Sequence, residues 1–260
     1  MNRAERKRQA KLDEKLLQRG IDSASQDAEP LAAMARQLQA LLESAREKGN
    51  VDALVRFLHA KVEATLDTTR ALPVACKRGC SHCCHSWVSV PAPEVLYIAK
   101  RLRAGMPQRE RVTTAFAATR NQDVTARKRN PVPCPMLEQD ICSLYELRPI
   151  ACRFAASVDA AICVRVFREA SAEAIPGPAR NLRGRSAYQI ALGAALRAAG
   201  LPHAYYEFNA ALARALSRDD AEAAWLAGED IFLDVPRDPT DVFAHPQTGM
   251  IYTMAFGERP

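Results

Sequence analysis

Eight cysteines carry the chemistry of this 260-residue chain, and they are clustered rather than scattered. The first group reads Cys76-Lys77-Arg78-Gly79-Cys80-Ser81-His82-Cys83-Cys84-His85, a C-x3-C-x2-C-C pattern. Thiolates are soft ligands that suit zinc, Cu(I) and iron–sulfur clusters. Gly79 lets the backbone turn tightly so that the flanking sulfurs can converge. Lys77 and Arg78 supply positive charge, which favours thiolate over thiol. The second group is Cys134-Pro135-Met136-Leu137, then Cys142-Ser143-Leu144-Tyr145-Glu146-Leu147-Arg148-Pro149, then Cys152-Arg153. Its gaps match no ordinary zinc finger, but they allow three sulfurs to meet from a loop and two short turns. Arg148 and Arg153 are suited to hydrogen-bond thiolates or backbone around a metal. Cys163 follows on a helical pattern.

These motifs resemble the cysteine-cluster family described as zinc- or iron-chelating, whose hallmark is C-x-x-C-x-x-C-C. That family continues with C-P-x-L and C-x-x-Y-x-x-R-P-x-x-C-R. The matching residues here are Cys134 to Leu137, Cys142 to Tyr145, and Arg148-Pro149-Ile150-Ala151-Cys152-Arg153. The resemblance covers roughly residues 76 to 165. It implies metal ligands at Cys80, Cys83, Cys84, Cys134, Cys142 and Cys152, with Cys76 and Cys163 as additions. The first gap departs from the hallmark by one residue, so Cys76 is the outlying member. Flagellin lysine methylases are similar in carrying such a cluster. No S-adenosylmethionine-binding glycine motif accompanies it here.

The metal is open between zinc and an iron–sulfur cluster. Eight cysteines make two tetrahedral zinc sites, or one four-cysteine cubane with thiols to spare. The adjacent Cys83 and Cys84 diverge, which suits two ions or a cluster better than one ion. Cys76-x3-Cys80-x2-Cys83 also has the radical S-adenosylmethionine spacing. The α/β barrel expected with that chemistry has no counterpart in the pattern. Cys80-Ser81-His82-Cys83 has the C-x-x-C of a thiol oxidoreductase, again without the β/α series. His82 and His85 can ligate, hydrogen-bond a thiolate or face solvent. Trp87 reads as a hydrophobic shield over the metal, and Tyr145 as a ring packed on the cluster with its hydroxyl anchored. Glu94 and Tyr97 read as residues that cap or pack the helix after the first cluster. His59 reads as a core or boundary histidine.

The elements that must position these residues are mainly α. Abundant Ala and Leu with 6% aromatics favour helix. Residues 1–29 form a basic arm and linker: seven basic and three acidic residues among the first 19 account for four of the six net positive charges. The rest of the chain is near neutral, which argues against nucleic acid as partner. Residues 30–170 are expected to hold a helical hairpin and the cysteine module. Apolar spacing predicts helices from Pro30 to about Gly49 and from Val51 to Arg70. Further helices are predicted from Pro91 to Arg103 (stopped by Gly105), over 108–122, and over 159–170. The segment 124–135 reads as loop. Residues 171–260 are expected to be a C-terminal helical extension, with a loop over 175–185 and helices near 186–199, 203–217 and 219–230. An irregular tail or a short hairpin, with Pro236, Pro239 and Pro246, follows Asp234. Trp87 to Val90 is the best strand signal. Tyr188, Tyr205, Tyr206, Phe208 and Trp225 read as core, or alternatively as a partner surface. His203 and His245 are too isolated for a role.

No run of 18 apolar residues spans a membrane, and the charged N-terminus lacks a secretory h-region. The expectation is a cytoplasmic protein in a reducing compartment, where disulfides rarely persist. The functional expectation is a metal-binding protein whose centre is structural or electron-carrying. The alternatives are a metal-dependent enzyme, of radical S-adenosylmethionine type or related to protein-lysine methylation, and a metal-stabilised module that binds an unknown protein partner.

Overall fold

The structure, a computed structural model, describes residues 28–68, 73–103, 108–239 and 246–257. The basic arm, the linker up to residue 27, the Gly105 stop and His245 lie outside the described residues. The fold is mainly α: eleven helices and two small two-stranded sheets among the described residues.

Helix α1 spans Ala28–Lys48 and buries Leu31, Ala35, Leu38, Leu42 and Ala45, the stripe expected from its periodicity. Helix α2 spans Asp52–Asp67 and packs back against it, burying Leu54, Val55, Leu58 and Val62. Gly49, at φ +67°, makes the reversal. Strand β1 (Ser89–Pro91) leads directly into α3 (Ala92–Arg103), which is buried along most of its length. Helix α4 spans Gln108–Thr119.

The segment expected as loop contains helix α5, Val124–Arg129. It lacks apolar periodicity, but Asp123 caps it, its side chain accepting from the Ala126 N–H at 2.6 Å. Strands β2 (Leu137–Glu138) and β3 (Ile141–Cys142) form a minimal hairpin. Gln139 and Asp140 lie at φ +47° and +61° in its two-residue turn, which matches strand twist. Helix α6 is a single turn, Ile150–Arg153. Helix α7, Ala160–Arg168, is capped by Asp159.

Helix α8 spans Ala179–Ala198, beginning well before the expected boundary. Pro178 precedes its first turn, where a missing N–H costs nothing. Gly184 is required within it: a Cβ there would lie 2.7 Å from the Phe154 ring. The expected helix over 203–217 instead opens as strand β4, Tyr205–Glu207, before α9, Phe208–Leu216. Strand β4 pairs antiparallel with β1, Val90 opposite Tyr206. Residues 236–238 add backbone bonds on β4, Glu207 N–H to Pro236 O and Asp238 N–H to Tyr205 O, each 2.8 Å. Helix α10 spans Ala221–Leu226. The tail expected to be irregular forms α11, Pro246–Phe256, with Pro246 at the first helical position.

One hydrophobic core runs from Leu31 in α1 to Ile251 in α11. Helices α1, α8 and α11 pack on one another, and α3 is sandwiched near α2 and α9. Tyr188, Tyr205, Tyr206, Phe208 and Trp225 are all buried, as their core reading expects. Among the described residues no helix is long and apolar enough to cross a membrane.

Candidate metal centre

All eight cysteines are free thiols, and all eight line one cavity of about 960 Å³. They reach it from five separate pieces of chain. Cys76 sits in the loop after α2, where Ala75 N–H bonds Ser157 O at 2.7 Å and the Ser157 N–H donates to Cys76 Sγ at 3.4 Å. Cys80 closes a tight turn, its N–H bonding Lys77 O, with Gly79 at φ +83°. A Cβ would not tolerate that φ readily. Cys83 and Cys84 ride on a 3-10 turn, His82–His85. Cys134 begins the approach to β2, Cys142 ends β3, Cys152 sits on α6 and Cys163 on α7. Helix α7 packs directly on the 3-10 turn.

Two bonds fasten the first cysteine group to the second. The Cys134 N–H donates to Cys84 O at 2.7 Å. The Ser81 hydroxyl donates to Asp140 Oδ1, at the β2–β3 turn.

Five of the sulfurs, those of Cys76, Cys83, Cys134, Cys142 and Cys152, sit in surroundings that favour the neutral thiol. Burial pushes Cys134 and Cys152 each up to about 12, and raises Cys76 and Cys142 as well. A hydrogen bond with Cys84, followed by burial, raises Cys83. The arginine whose charge opposes these effects at Cys83, Cys142 and Cys152 is Arg148. Lys77 and Arg78, expected from sequence to promote the thiolates, are both exposed.

No three His, Cys, Asp or Glu side chains among the described residues are already arranged to hold one ion. The donor set nevertheless suits a thiophilic metal in kind: eight thiols on one cavity wall, with His82 beside them. His82 Nδ1 is buried and makes no hydrogen bond among the described residues. His85 Nδ1 is instead engaged with Ser81 O at 3.0 Å.

A buried polar lattice holds the cysteine-bearing turns, and most of it left no trace in the sequence pattern. Glu94, 1% exposed, does not cap its own helix. Its Oε1 accepts from the Ile150 N–H at 2.8 Å, and so caps α6, two residues before Cys152. The same oxygen meets His59 Nε2 at 3.0 Å. Arg153 Nη2 lies 3.1 Å from His59 Nδ1. A guanidinium can only donate, so Nδ1 accepts and the ring proton sits on Nε2, aimed at Glu94. Arg153 also donates to Arg148 O at 2.7 Å, to Glu146 O and to Glu63. Of the two roles expected for it, the backbone one is present. His59 is buried, as its core or boundary reading expects.

A second lattice flanks Cys134. Arg127 of α5, 1% exposed, donates to Glu207 Oε1 at 3.0 Å. Glu207 Oε2 in turn accepts from the Ala210 N–H at 2.7 Å and caps α9. The two partners are 80 residues apart in sequence, so no local spacing announces the pair.

Tyr145 differs from its expected role. It is 55% exposed, with the Arg148 guanidinium stacked 3.5 Å from its ring centroid, so it stands at the cavity rim rather than anchored over the sulfurs. Trp87 lines the cavity half-buried, its Nε1 donating to Ser89 Oγ at 3.1 Å.

No curated protein and no solved structure matches the chain. Residues 75–173, less than half of the chain, match the model of the CxxCxxCC family, described as "Putative zinc- or iron-chelating domain", and this span contains all eight cysteines.

Proposed function

We propose that the chain is a metal protein whose cysteine cavity holds zinc or an iron–sulfur cluster, and that the centre is structural or electron-carrying. The observation that carries this reading is the delivery of eight thiols from five chain segments to one cavity. Scattered structural cysteines would be distributed through the core as small hydrophobes. Here only Cys163 is fully buried.

The ligands would be drawn from Cys76, Cys80, Cys83, Cys84, Cys134, Cys142, Cys152 and Cys163. A bound zinc would supply a crosslink between segments far apart in sequence, and an iron–sulfur cluster would supply in addition one-electron redox chemistry. The chain's own residues do the rest. The cap from Glu94 fixes the turn that carries Cys152. The Arg127–Glu207 pair fixes the approach to Cys134. Arg148 places positive charge beside Cys83, Cys142 and Cys152, offsetting the negative charge that thiolate ligands bring. The raised pKa values of Cys76, Cys83, Cys134, Cys142 and Cys152 mean that these ligands give up protons on binding. The sulfurs also have to move together, so metal binding and local ordering of these loops are one process.

The test is metal analysis with an ultraviolet–visible spectrum on protein purified without oxygen. Iron with sulfide and a broad band near ~400 nm, bleached by dithionite, supports the cluster and the electron-carrying role. Stoichiometric zinc without colour supports the structural role. Protein that contains neither, and takes up neither on reconstitution, overturns the reading.

A further inference from the structure

The cavity exceeds what a metal centre needs. Metal–sulfur bonds of ~2.3 Å make a four-thiolate site only about 5 Å across. A cavity of about 960 Å³ lies at the upper end of small-molecule pockets, roughly 300–1,000 Å³. Part of its wall is not sulfur at all. The first turns of α8 contribute Asn181, Leu182 and Arg185, and other elements contribute Ile98 and Phe208.

Two groups on this wall lack partners that their burial calls for. Asn181 is 6% exposed. Its amide nitrogen donates to Phe154 O at 3.4 Å, while its Oδ1 is buried and accepts no hydrogen bond among the described residues. A buried amide oxygen without a donor is rare in folded proteins. Arg185, half-buried on the same wall, makes no ion pair or hydrogen bond among the described residues. Its charge acts on the buried Tyr205, whereas Arg148 acts on Cys83, Cys142 and Cys152, and Arg127 on Cys134. The two residues are four apart on one helix, so they share a face and sit about 6 Å apart along its axis.

A guanidinium fork matches a carboxylate, and a buried amide oxygen calls for an N–H donor. Leu182, Ile98 and Phe208 add apolar surface to the same cavity. We propose that this part of the cavity binds the α-amino-acid unit of a small organic carboxylate with an apolar side chain, either a free amino acid or the C-terminal residue of a peptide. The carboxylate meets Arg185, the adjacent N–H donates to Asn181 Oδ1, and the side chain lies against Leu182, Ile98 and Phe208. The proposal stands on this wall and does not require the metal reading.

Calorimetric titration of the full chain as purified tests it, with L-leucine, N-acetyl-L-leucine and 4-methylpentanoate as probes. Saturable binding of L-leucine or N-acetyl-L-leucine with Kd below ~1 mM is expected. Preference for the first identifies a free amino acid, and preference for the second a peptide C-terminus. 4-Methylpentanoate, which lacks the N–H, binds at least about tenfold more weakly. Arg185→Ala weakens the better probe at least about tenfold and Arg185→Lys weakens it less, with helicity and metal content unchanged. Absence of binding by both N–H probes up to ~10 mM overturns the proposal. So does equal binding of 4-methylpentanoate, or unchanged affinity in Arg185→Ala. Metal content and uptake measured on the same samples keep the two readings apart: leucine binding by protein that neither contains nor takes up metal would sink only the metal reading.

Discussion

The helical body and the cysteine module of this chain are held by different physics. In the body, α1, α2, α3, α8 and α9 bury apolar stripes, and stability comes from area removed from water. In the module, residues 76 to 153 outside α3 to α5 are turns, a two-residue hairpin and single helical turns. Such pieces bury too little to stand alone. They are anchored on the core by Met136, Leu144 and Ile150 and tied further by individual polar contacts: Glu94 to Ile150, Arg153 to three carbonyl or carboxylate groups, Ser81 to Asp140. The difference teaches that the body can be complete before any metal arrives, and that the module is the part a metal would finish.

The widest separation between the two should come from Cys152→Ser. Metal content is expected to fall to background while far-UV circular dichroism retains most of its helix signal. Full metal retention would show that the two regions are not divided in this way. Next comes Arg127→Ala, which strands Glu207 as a buried unpaired charge between body and module. A loss of about 4 kcal/mol in chemical denaturation is expected, and Arg127→Met with Glu207→Gln should recover much of it. Leu38→Ala, deep in α1, should cost about 3 kcal/mol by leaving a cavity, with metal content unchanged. If metal content fell with it, the module would depend on the body more tightly than the contacts suggest.

The smallest effect at ordinary pH is the module's own titration. Cys134 and Cys152 are raised from 9.0 to about 12 in the fold. The buried neutral thiols therefore contribute stability that is fully present below pH 9 and is lost as pH rises towards 12. Metal-free protein should show a melting temperature flat from pH 7 to 9 and falling above it. Metal affinity should move the opposite way, rising with pH, because each thiol must lose its proton to bind.

What the sequence disclosed divides along the same line. The apolar repeats Leu31-Leu38-Leu42 and Leu54-Leu58-Val62 expose their helices because their partners are elsewhere in the core and the stripe must be apolar whatever those partners are. Asp159 and Cys163 were legible on α7 for similar local reasons. Helix α5 was not, because Val124–Arg129 is polar and its only signal is the Asp123 cap. Strand β4 was not, because three residues acquire their pairing from β1, over a hundred residues earlier. Pro178 and Pro246 suggested loop, yet each sits where a helix begins. At the site, cysteine spacing pointed to all eight thiols, but the buried acids Glu94 and Glu207 take their meaning from Ile150 and Arg127, which no local window contains.

The bond from Cys134 N–H to Cys84 O has a further consequence, for the order of events during folding. It joins residues 50 apart and closes a loop containing α3, α4 and α5. Closing such a loop carries an entropic cost that grows with the logarithm of its length. In the folded chain α3 and α4, which lie inside this loop, pack on α9, which lies beyond both cysteine groups in the chain. A chain that ends before α9 lacks this packing partner for α3 and α4, so the loop that joins the two cysteine groups is left to close on its own contacts.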